Sequence, residues 1–429
     1  MKESSSLKKW RTITYLSIFT GWGLYMLVRK TLPSSMQSLI QHNIYTKDNI
    51  GMITSSFSLA YGLSKFTFSF VSDHVSPRRL FISGLLLTSF CCILFPVCNG
   101  VAMACVVWFI AGVVQGCGWA PCVILLKTWY SPSQIGTWWS ILSAAGNIAS
   151  ALSPLIILYI TTMSDWTVSY YLIGIITFVL GCVMVYTIKD SPEEIGIRSA
   201  FIQTKEKAAK SSKKEGNWYS VFMIFDLWVV ALIYASVYLV NYGVLGWMQL
   251  FLVEVAKKSD AMAAASVSVY QVGGMVGNIT TGYVSDLLLV KRARLCPRAP
   301  VLCLLSLLLV VATHLYRTSA GEDTPEIPWS VITFSVGFLA DGMIAIIGLC
   351  GMEVAPQHMT GSAHGFVCAI AQFGSVLAGW PLAYVMGQYS WSTAYWLMEL
   401  VSVSMVIGCL YLLWVMMRSR EPVGGTKKH

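Results

Sequence analysis

Charge is what this chain has least of. Lysine, arginine, aspartate and glutamate make up 11% of its 429 residues, while 56% are hydrophobic. A soluble chain carries about 25% charge, so a water-soluble globular protein is excluded. Catalytic and metal-binding signatures are missing as well. There is no HExxH, no Walker loop, no nucleophile elbow and no histidine–carboxylate cluster, and the six histidines are scattered. The twelve cysteines form no CxxC pair and no metal-ligand spacing; eleven lie in or beside apolar segments and read as small buried hydrophobes, leaving Cys296 in a basic loop. No small-residue cleavage site follows the first apolar run, so KESSSLKKWR leads into an uncleaved anchor helix. The sequon Asn278-Ile279-Thr280 falls in a helical stretch and is expected to be unused. No enzyme activity, cofactor or metal is expected.

What is present is a recurrence of apolar stretches, each about the 20 residues that cross a bilayer as helix. Twelve spans are predicted: 12–38, 50–72, 80–99, 102–127, 136–162, 168–188, 220–252, 261–287, 300–317, 328–352, 361–386 and 393–417. Twelve spans put both termini on one side. The termini and the even-numbered loops hold 22 of the 29 lysines and arginines, which the positive-inside rule reads as cytoplasmic. The net charge of +9 therefore reports topology rather than nucleic-acid binding. The polar, lysine-rich stretch 189–219 reads as a cytoplasmic linker between a bundle at 1–188 and a second at 220–429 with a cytoplasmic tail.

The halves repeat each other. VSDHVSPRR (71–79) follows span 2 and VSDLLLVKR (284–292) follows span 8. Trp166 and Tyr170 open span 6 as Trp391 and Tyr395 open span 12, and Pro154 and Pro381 match late in spans 5 and 11. Several matches in order at nearly constant offset indicate an internal repeat. The predicted fold is an all-α membrane protein of two pseudo-symmetric six-helix bundles, the plan of a carrier that rocks around a midplane site.

Against this apolar background the ionisable residues stand out. Arg29 lies in YMLVRKTLP (25–33) within span 1. A guanidinium is always charged and its planar fork matches phosphate oxygens; alternatively, with Pro33 shortening the helix, Arg29 snorkels to the headgroups. Lys30 points about 100° away around the helix and is expected to pair elsewhere, tune the potential or touch a ligand. Tyr25, four residues before Arg29, shares its face and either lines a pocket or packs. Lys65 lies two turns inside the cytoplasmic end of span 2, a burial problem for an ammonium unless it snorkels. His364 opens span 11, where it contacts substrate, titrates near neutral pH or is structural. Asp341 puts a carboxylate in the middle of span 10, where it must be paired or protonated. Asp73 with Arg78 and Arg79, and Asp286 with Lys291 and Arg292, are expected to form cytoplasmic gate pairs unless they are solvated loops. Trp119, Trp138 and Trp139 are expected to pack helices.

The Asp-x-x-x-x-Arg-type loops after spans 2 and 8 resemble the major facilitator superfamily. QGCGWAPC (115–122) followed by Trp129 resembles its organophosphate:phosphate antiporters. RKT (29–31), ITSS (53–56), SKF (64–66), PSQIGTWWSILS (132–143), GSAHG (361–365) and YSWSTAYW (389–396) are most similar to the animal glucose-6-phosphate exchangers of solute carrier family 37. The resemblance runs from about residue 10 to 417. It implies exchange of glucose 6-phosphate or a related sugar phosphate for inorganic phosphate in the endoplasmic-reticulum membrane, with functional coupling to a phosphatase. It implies that Arg29 is a phosphate ligand and that Lys65 and Tyr61 belong to the anion site.

The chain departs from that pattern where charge matters. The repeat sets Asn241 opposite Arg29, where bacterial members have a second arginine and the animal exchanger a lysine. Ile124 stands where relatives have a cation. Gly146 stands where bacterial members place a histidine, although Asn147 beside it matches them. With Asp341, these changes make the site less positive. They leave open a carrier of a less charged organic anion, proton-coupled through Asp341. The tail GGTKKH has Lys427 third from the end but Thr426 and Gly425 before it, an incomplete dilysine signal.

Overall fold

The computed structural model describes residues 5–71, 75–130, 132–196, 222–288, 296, 298–321, 324–355 and 360–419. No strand occurs among them. In a bilayer every backbone donor and acceptor must be met within the segment, and only a helix does this for a lone span.

Six spans come first: α1 (Ser5–Gln41), α2 (Lys47–Val71), α3 (Pro77–Leu94), a span divided into α4 (Val101–Gln115) and α5 (Trp119–Trp129), α6 (Pro132–Met163) and α7 (Trp166–Thr187). Six follow: α8 (Phe225–Glu254), α9 (Asp260–Leu287), α10 (Ala299–Ser319), α11 (Glu326–Val354), a span divided into α12 (Thr360–Leu377) and α13 (Trp380–Gln388), and α14 (Trp391–Arg418). All twelve predicted spans are present, with ends shifted by a few residues. The two divisions were not expected. The first is a turn at 116–118, where the Gly116, Cys117 and Gly118 N–H groups bond three residues back to Val113, Val114 and Gln115. The second falls just before Pro381, which cannot donate to a continuing helix.

Among the described residues nine spans are long and apolar enough to cross a membrane by length and composition. The three that fall short are α1, α2 and α9. The first two carry the intramembrane cations Arg29, Lys30 and Lys65, and α9 is rich in glycine, serine and threonine. Ionisable residues at this depth face a bundle interior or a polar path rather than lipid.

The chain forms two compact units. The first holds α1 to α7 together with Lys258–Gln271, the opening of α9. That opening is held by Gln37 Nε2 donating to Asp260 Oδ1 at 2.5 Å and by Ser268 Oγ donating to the Ala151 carbonyl at 2.6 Å. Within the first unit α1 packs along α6, α2 along α4 and α3 along α7. In the second, α8 packs along α12 and α10 along α14. The first-with-fifth and third-with-sixth pairings thus recur, as the repeat requires. The repeated aromatic positions are packing positions in both units: Tyr170 stacks on Phe95 at 4.9 Å, and Tyr395 lies 4.6 Å from Phe251.

Candidate functional site

In the first unit the ionisable residues converge where α1, α2 and α4 meet. α1 does not stop at Pro33 but runs on to Gln41. Arg29 therefore lies about 18 Å from the helix end at 1.5 Å per residue. Its side chain turns inward: Nε donates to Gln115 Oε1 at 2.9 Å, and the guanidinium carbon lies 4.0 Å from the Tyr61 ring centroid and 5.4 Å from that of Phe57. Phe57 and Tyr61 are stacked with planes 10° apart, so they offer one continuous aromatic wall. Of the two readings of Arg29, snorkelling is the one this geometry does not fit. The wall attracts the cation without neutralising it, and Gln115 fixes its orientation with a neutral acceptor. Arg29 Nη2 and Gln115 Nε2 are buried with no hydrogen-bond partner among the described residues.

α4 reaches this point because small residues let it approach α2. A Cβ on Gly112 would lie 2.5 Å from the Phe57 carbonyl, and one on Gly116 would lie 2.2 Å from Ser64 Oγ and 2.9 Å from the Lys65 N. This contact brings Lys65 to the same place; its Nζ is 5.9 Å from the Tyr61 centroid. Lys30 is half-buried on α1.

Tyr25 belongs to the packing rather than to the pocket. It is 0% exposed, and its hydroxyl donates to the Phe81 carbonyl at 2.8 Å. Sharing a helix face with Arg29 did not give it the same surroundings, because α3 covers this turn of α1. Trp119 packs against Trp22 and Trp139, and Trp138 against Tyr15, as expected. Gly146 lies against Trp22, whose Nε1 is 2.8 Å from where a Cβ would be, so a side chain there would have to displace that ring. Asn147 and Ile124 are half-buried.

In the second unit the corresponding place holds different chemistry. Asn241 Nδ2 donates to Asp341 Oδ1 at 2.5 Å. Asp341 lies so close to α9 that a Cβ on Gly274 would meet its Oδ2 at 2.0 Å. Tyr234, Tyr238 and Tyr242 line up along α8 with ring centroids 4.8 and 5.4 Å apart. His364 places Nδ1 3.3 Å from the Gly348 carbonyl and Nε2 3.5 Å from Cys368 Sγ. A ring with one nitrogen on a carbonyl and the other on a thiol is structurally engaged.

The gate expectations divide. Asp73, Lys291 and Arg292 lie outside the described residues. Arg78 is engaged by the end of α7 and the segment after it: its N–H donates to Asp190 Oδ1 at 2.8 Å, its Nη1 lies 3.7 Å from Glu194 Oε2, and its Nη2 donates to the Val185 carbonyl. Arg79 is exposed, and its backbone N–H donates to Ser76 Oγ. Asp286 is an ion-pair residue, with Arg298 as the partner identified at 2.7 Å. Arg298 also binds Glu353 at 2.8 Å and donates to Ser285 Oγ at 2.6 Å. Burial alone would lower the Arg298 pKa, but hydrogen bonds to Asp286 and Glu353 outweigh it and hold the guanidinium above its ordinary value. Sequence reasoning missed Gln115, Asp190, Arg298 and Glu353. A signal existed for two of them: Gln115 is the polar residue ending an apolar run, and Pro297-Arg298 repeats Pro77-Arg78.

Two repeated six-span units with intramembrane cations, an intramembrane carboxylate and no catalytic constellation among the described residues define a secondary carrier. The chain belongs to the major facilitator superfamily, whose family model matches residues 13–379. It is 30% identical over 401 residues to a probable hexose phosphate transport protein of Chlamydia pneumoniae, covering 90% of this chain and 87% of that one. It is 29% identical to a glycerol-3-phosphate transporter of Bacillus subtilis (96% and 94% covered) and 26% identical to the membrane sensor protein UhpC of Escherichia coli (94% and 92%). These relatives are the organophosphate:phosphate antiporter group. The fold matches a bacterial homologue of the human lysosomal transporter Spinster, inward-facing and occupied, with TM-score 0.73 at 12% identity over 97% of this chain and 99% of that one. The protein is a multi-pass membrane carrier and not an enzyme.

Proposed function

We propose that this carrier exchanges glucose 6-phosphate, or a related sugar phosphate, for inorganic phosphate by alternating access. One observation carries the reading: Arg29 is held against Tyr61 by a neutral partner and keeps buried donor capacity on Nη2. A desolvated, pre-oriented guanidinium suits a phosphoryl group shared by both exchanged species. Lys65 adds a second positive charge nearby. Carriers of this plan bind substrate near the bilayer midplane and rock around it. The Arg78 and Arg298 ion-pair clusters would stabilise one of the two access states.

The endoplasmic-reticulum location and the family 37 likeness rest on the quoted motifs, and cytoplasmic termini rest on the distribution of lysine and arginine. The division into bundles at 1–188 and 220–429 around a 189–219 linker belongs to the same reading.

The test is counterflow in proteoliposomes loaded with phosphate. Wild type is expected to take up labelled glucose 6-phosphate as phosphate leaves, and Arg29→Ala to lose this. Transport of other organic anions without glucose 6-phosphate exchange would refute the substrate; binding without counterflow would make the chain a sensor.

A second reading has its own support. The Asn241–Asp341 pair puts a carboxylate in the second unit's site where the resemblance implies a cation, which suits a less charged anion carried with a proton on Asp341. If Asp341→Asn leaves both uptake and its pH dependence unchanged, proton coupling is excluded.

A further inference from the structure

Gln115 has one function on the page and the capacity for a second. It is 1% exposed, and Oε1 accepts from Arg29 Nε. Its Nε2 carries two N–H donors and is buried with no partner among the described residues. Arg29 Nη2 is in the same condition. Because Nε and Nη2 belong to one rigid planar fork, locking Nε on Gln115 also fixes where Nη2 points. Two unmet buried donors thus sit on directly bonded neighbours, one of them cationic. Buried donors are met almost without exception, so this arrangement calls for an acceptor, and the attached cation calls for a negative one.

We propose that Gln115 is a binding residue for the transported anion. Its Nε2 and Arg29 Nη2 donate together to the phosphoryl oxygens, while Oε1 holds the guanidinium still. The inference rests on the sugar-phosphate exchange reading and adds to it a neutral ligand on α4. The choice of an amide has a physical reason. An acid at 115 would pair with Arg29, neutralise it and offer no donor; an apolar residue would leave the fork free to swing. An amide of this length orients the cation through its oxygen and adds donors on its nitrogen. The second unit supports the logic from the other side. There the equivalent position is an acid, Asp341, and its partner is the neutral Asn241. The end of α4 is also firmly seated, since Gly116 lies against Ser64 and the Lys65 backbone.

Phosphate self-exchange by the full chain in proteoliposomes tests this with a probe that has no sugar. Gln115→Met keeps the side-chain length and removes donor and acceptor; Gln115→Glu keeps the acceptor and loses the donor. Both are expected to raise half-saturation for phosphate about ten- to a hundredfold, the effect of losing a hydrogen bond to a charged group. Half-saturation for glucose 6-phosphate should rise by the same factor. Unchanged phosphate affinity in either variant, or a rise for the sugar phosphate alone, overturns the inference. If Gln115→Met fails to assemble, as judged by thermal unfolding in detergent, Gln115→Glu decides. A wild-type chain that exchanges no phosphate overturns the exchange reading itself, which separates the two failures.

Discussion

Asn241 donates to Asp341 in the second unit as Arg29 donates to Gln115 in the first. In each unit the first helix supplies the donor and the fourth span the acceptor, but the charge has moved from donor to acceptor. One pair is cationic and its repeat is anionic. The double substitution Asn241→Arg with Asp341→Gln copies the first pair into the second unit. It is expected to tighten phosphate binding about tenfold or more in a self-exchange assay, since charge-assisted contacts are roughly twice as strong as neutral ones. Asn241→Arg alone should gain much less, because Asp341 then takes the new cation as an ion pair.

Arg29 should not tolerate lysine. Lys keeps the charge but loses the fork, the bond to Gln115 and the flat contact with Tyr61. Arg29→Lys is expected to lower exchange at least tenfold, read as initial rates at subsaturating substrate. Tyr61→Phe should be nearly neutral for the cation–π contact, whereas Tyr61→Leu removes a term of about 0.5–2 kcal/mol.

The sequence exposed the twelve spans and the repeat, because hydropathy and spacing are one-dimensional. It exposed Arg29 and Asp341 for the same reason: a charge in an apolar run is visible without a fold. It could not expose their partners. Gln115 is 86 positions from Arg29, and only the packing of α1, α2 and α4 brings them together. The gate is the clearest case. Arg78 stands five residues after Asp73, so the repeat pointed to Lys291 and Arg292 after Asp286; yet an identified partner of Asp286, Arg298, stands twelve residues on, across a longer loop. Tyr25 stayed open between pocket and packing, since a shared helix face says nothing about which neighbour covers each turn.

Gly274 should be irreplaceable for a reason that Asp341 supplies. A methyl group there would sit 2.0 Å from Oδ2 and 2.8 Å from Cγ, so the carboxylate has to leave its bond with Asn241. Gly274→Ala is expected to reproduce the transport and pH phenotype of Asp341→Asn and to cost about 1–3 kcal/mol from overpacking. Gly246→Ala, with nothing within 4 Å of its added Cβ, is the control. It should leave transport intact and raise thermal stability slightly, because alanine is the better helix former.

Arg298 should matter more than either acid it binds. Its own side chain is 12% exposed, Asp286 is 68% exposed and Glu353 is 23% exposed. Asp286→Asn removes a largely solvated partner and should cost about 0–1 kcal/mol. Arg298→Gln strands Glu353, whose Oε2 already has no partner among the described residues. Its cost should approach the 3–5 kcal/mol of a broken buried pair, measured as loss of thermal stability in detergent.

Cys296 reports on the same cluster. It sits in a basic loop and is 0% exposed. Burial, with Asp226 and Glu353 adding to it, pushes the thiol pKa up to about 12. Thiolate is the reactive form, so it should be nearly absent from the folded protein at neutral pH and appear only as pH climbs toward that value. A hydrophilic maleimide is therefore expected to leave Cys296 unlabelled in native protein at pH 7 and to label it after denaturation, read by peptide mass spectrometry. Cys296 is two residues from Arg298, and its carbonyl accepts the N–H of Ala299, the first residue of α10. Loss of the Arg298 ion pairs should loosen that turn and let water in, which restores the ordinary thiol pKa. Arg298→Gln is thus expected to bring native-state labelling at pH 7, and labelling as slow as in wild type would mean that the turn is held by its packing rather than by Arg298.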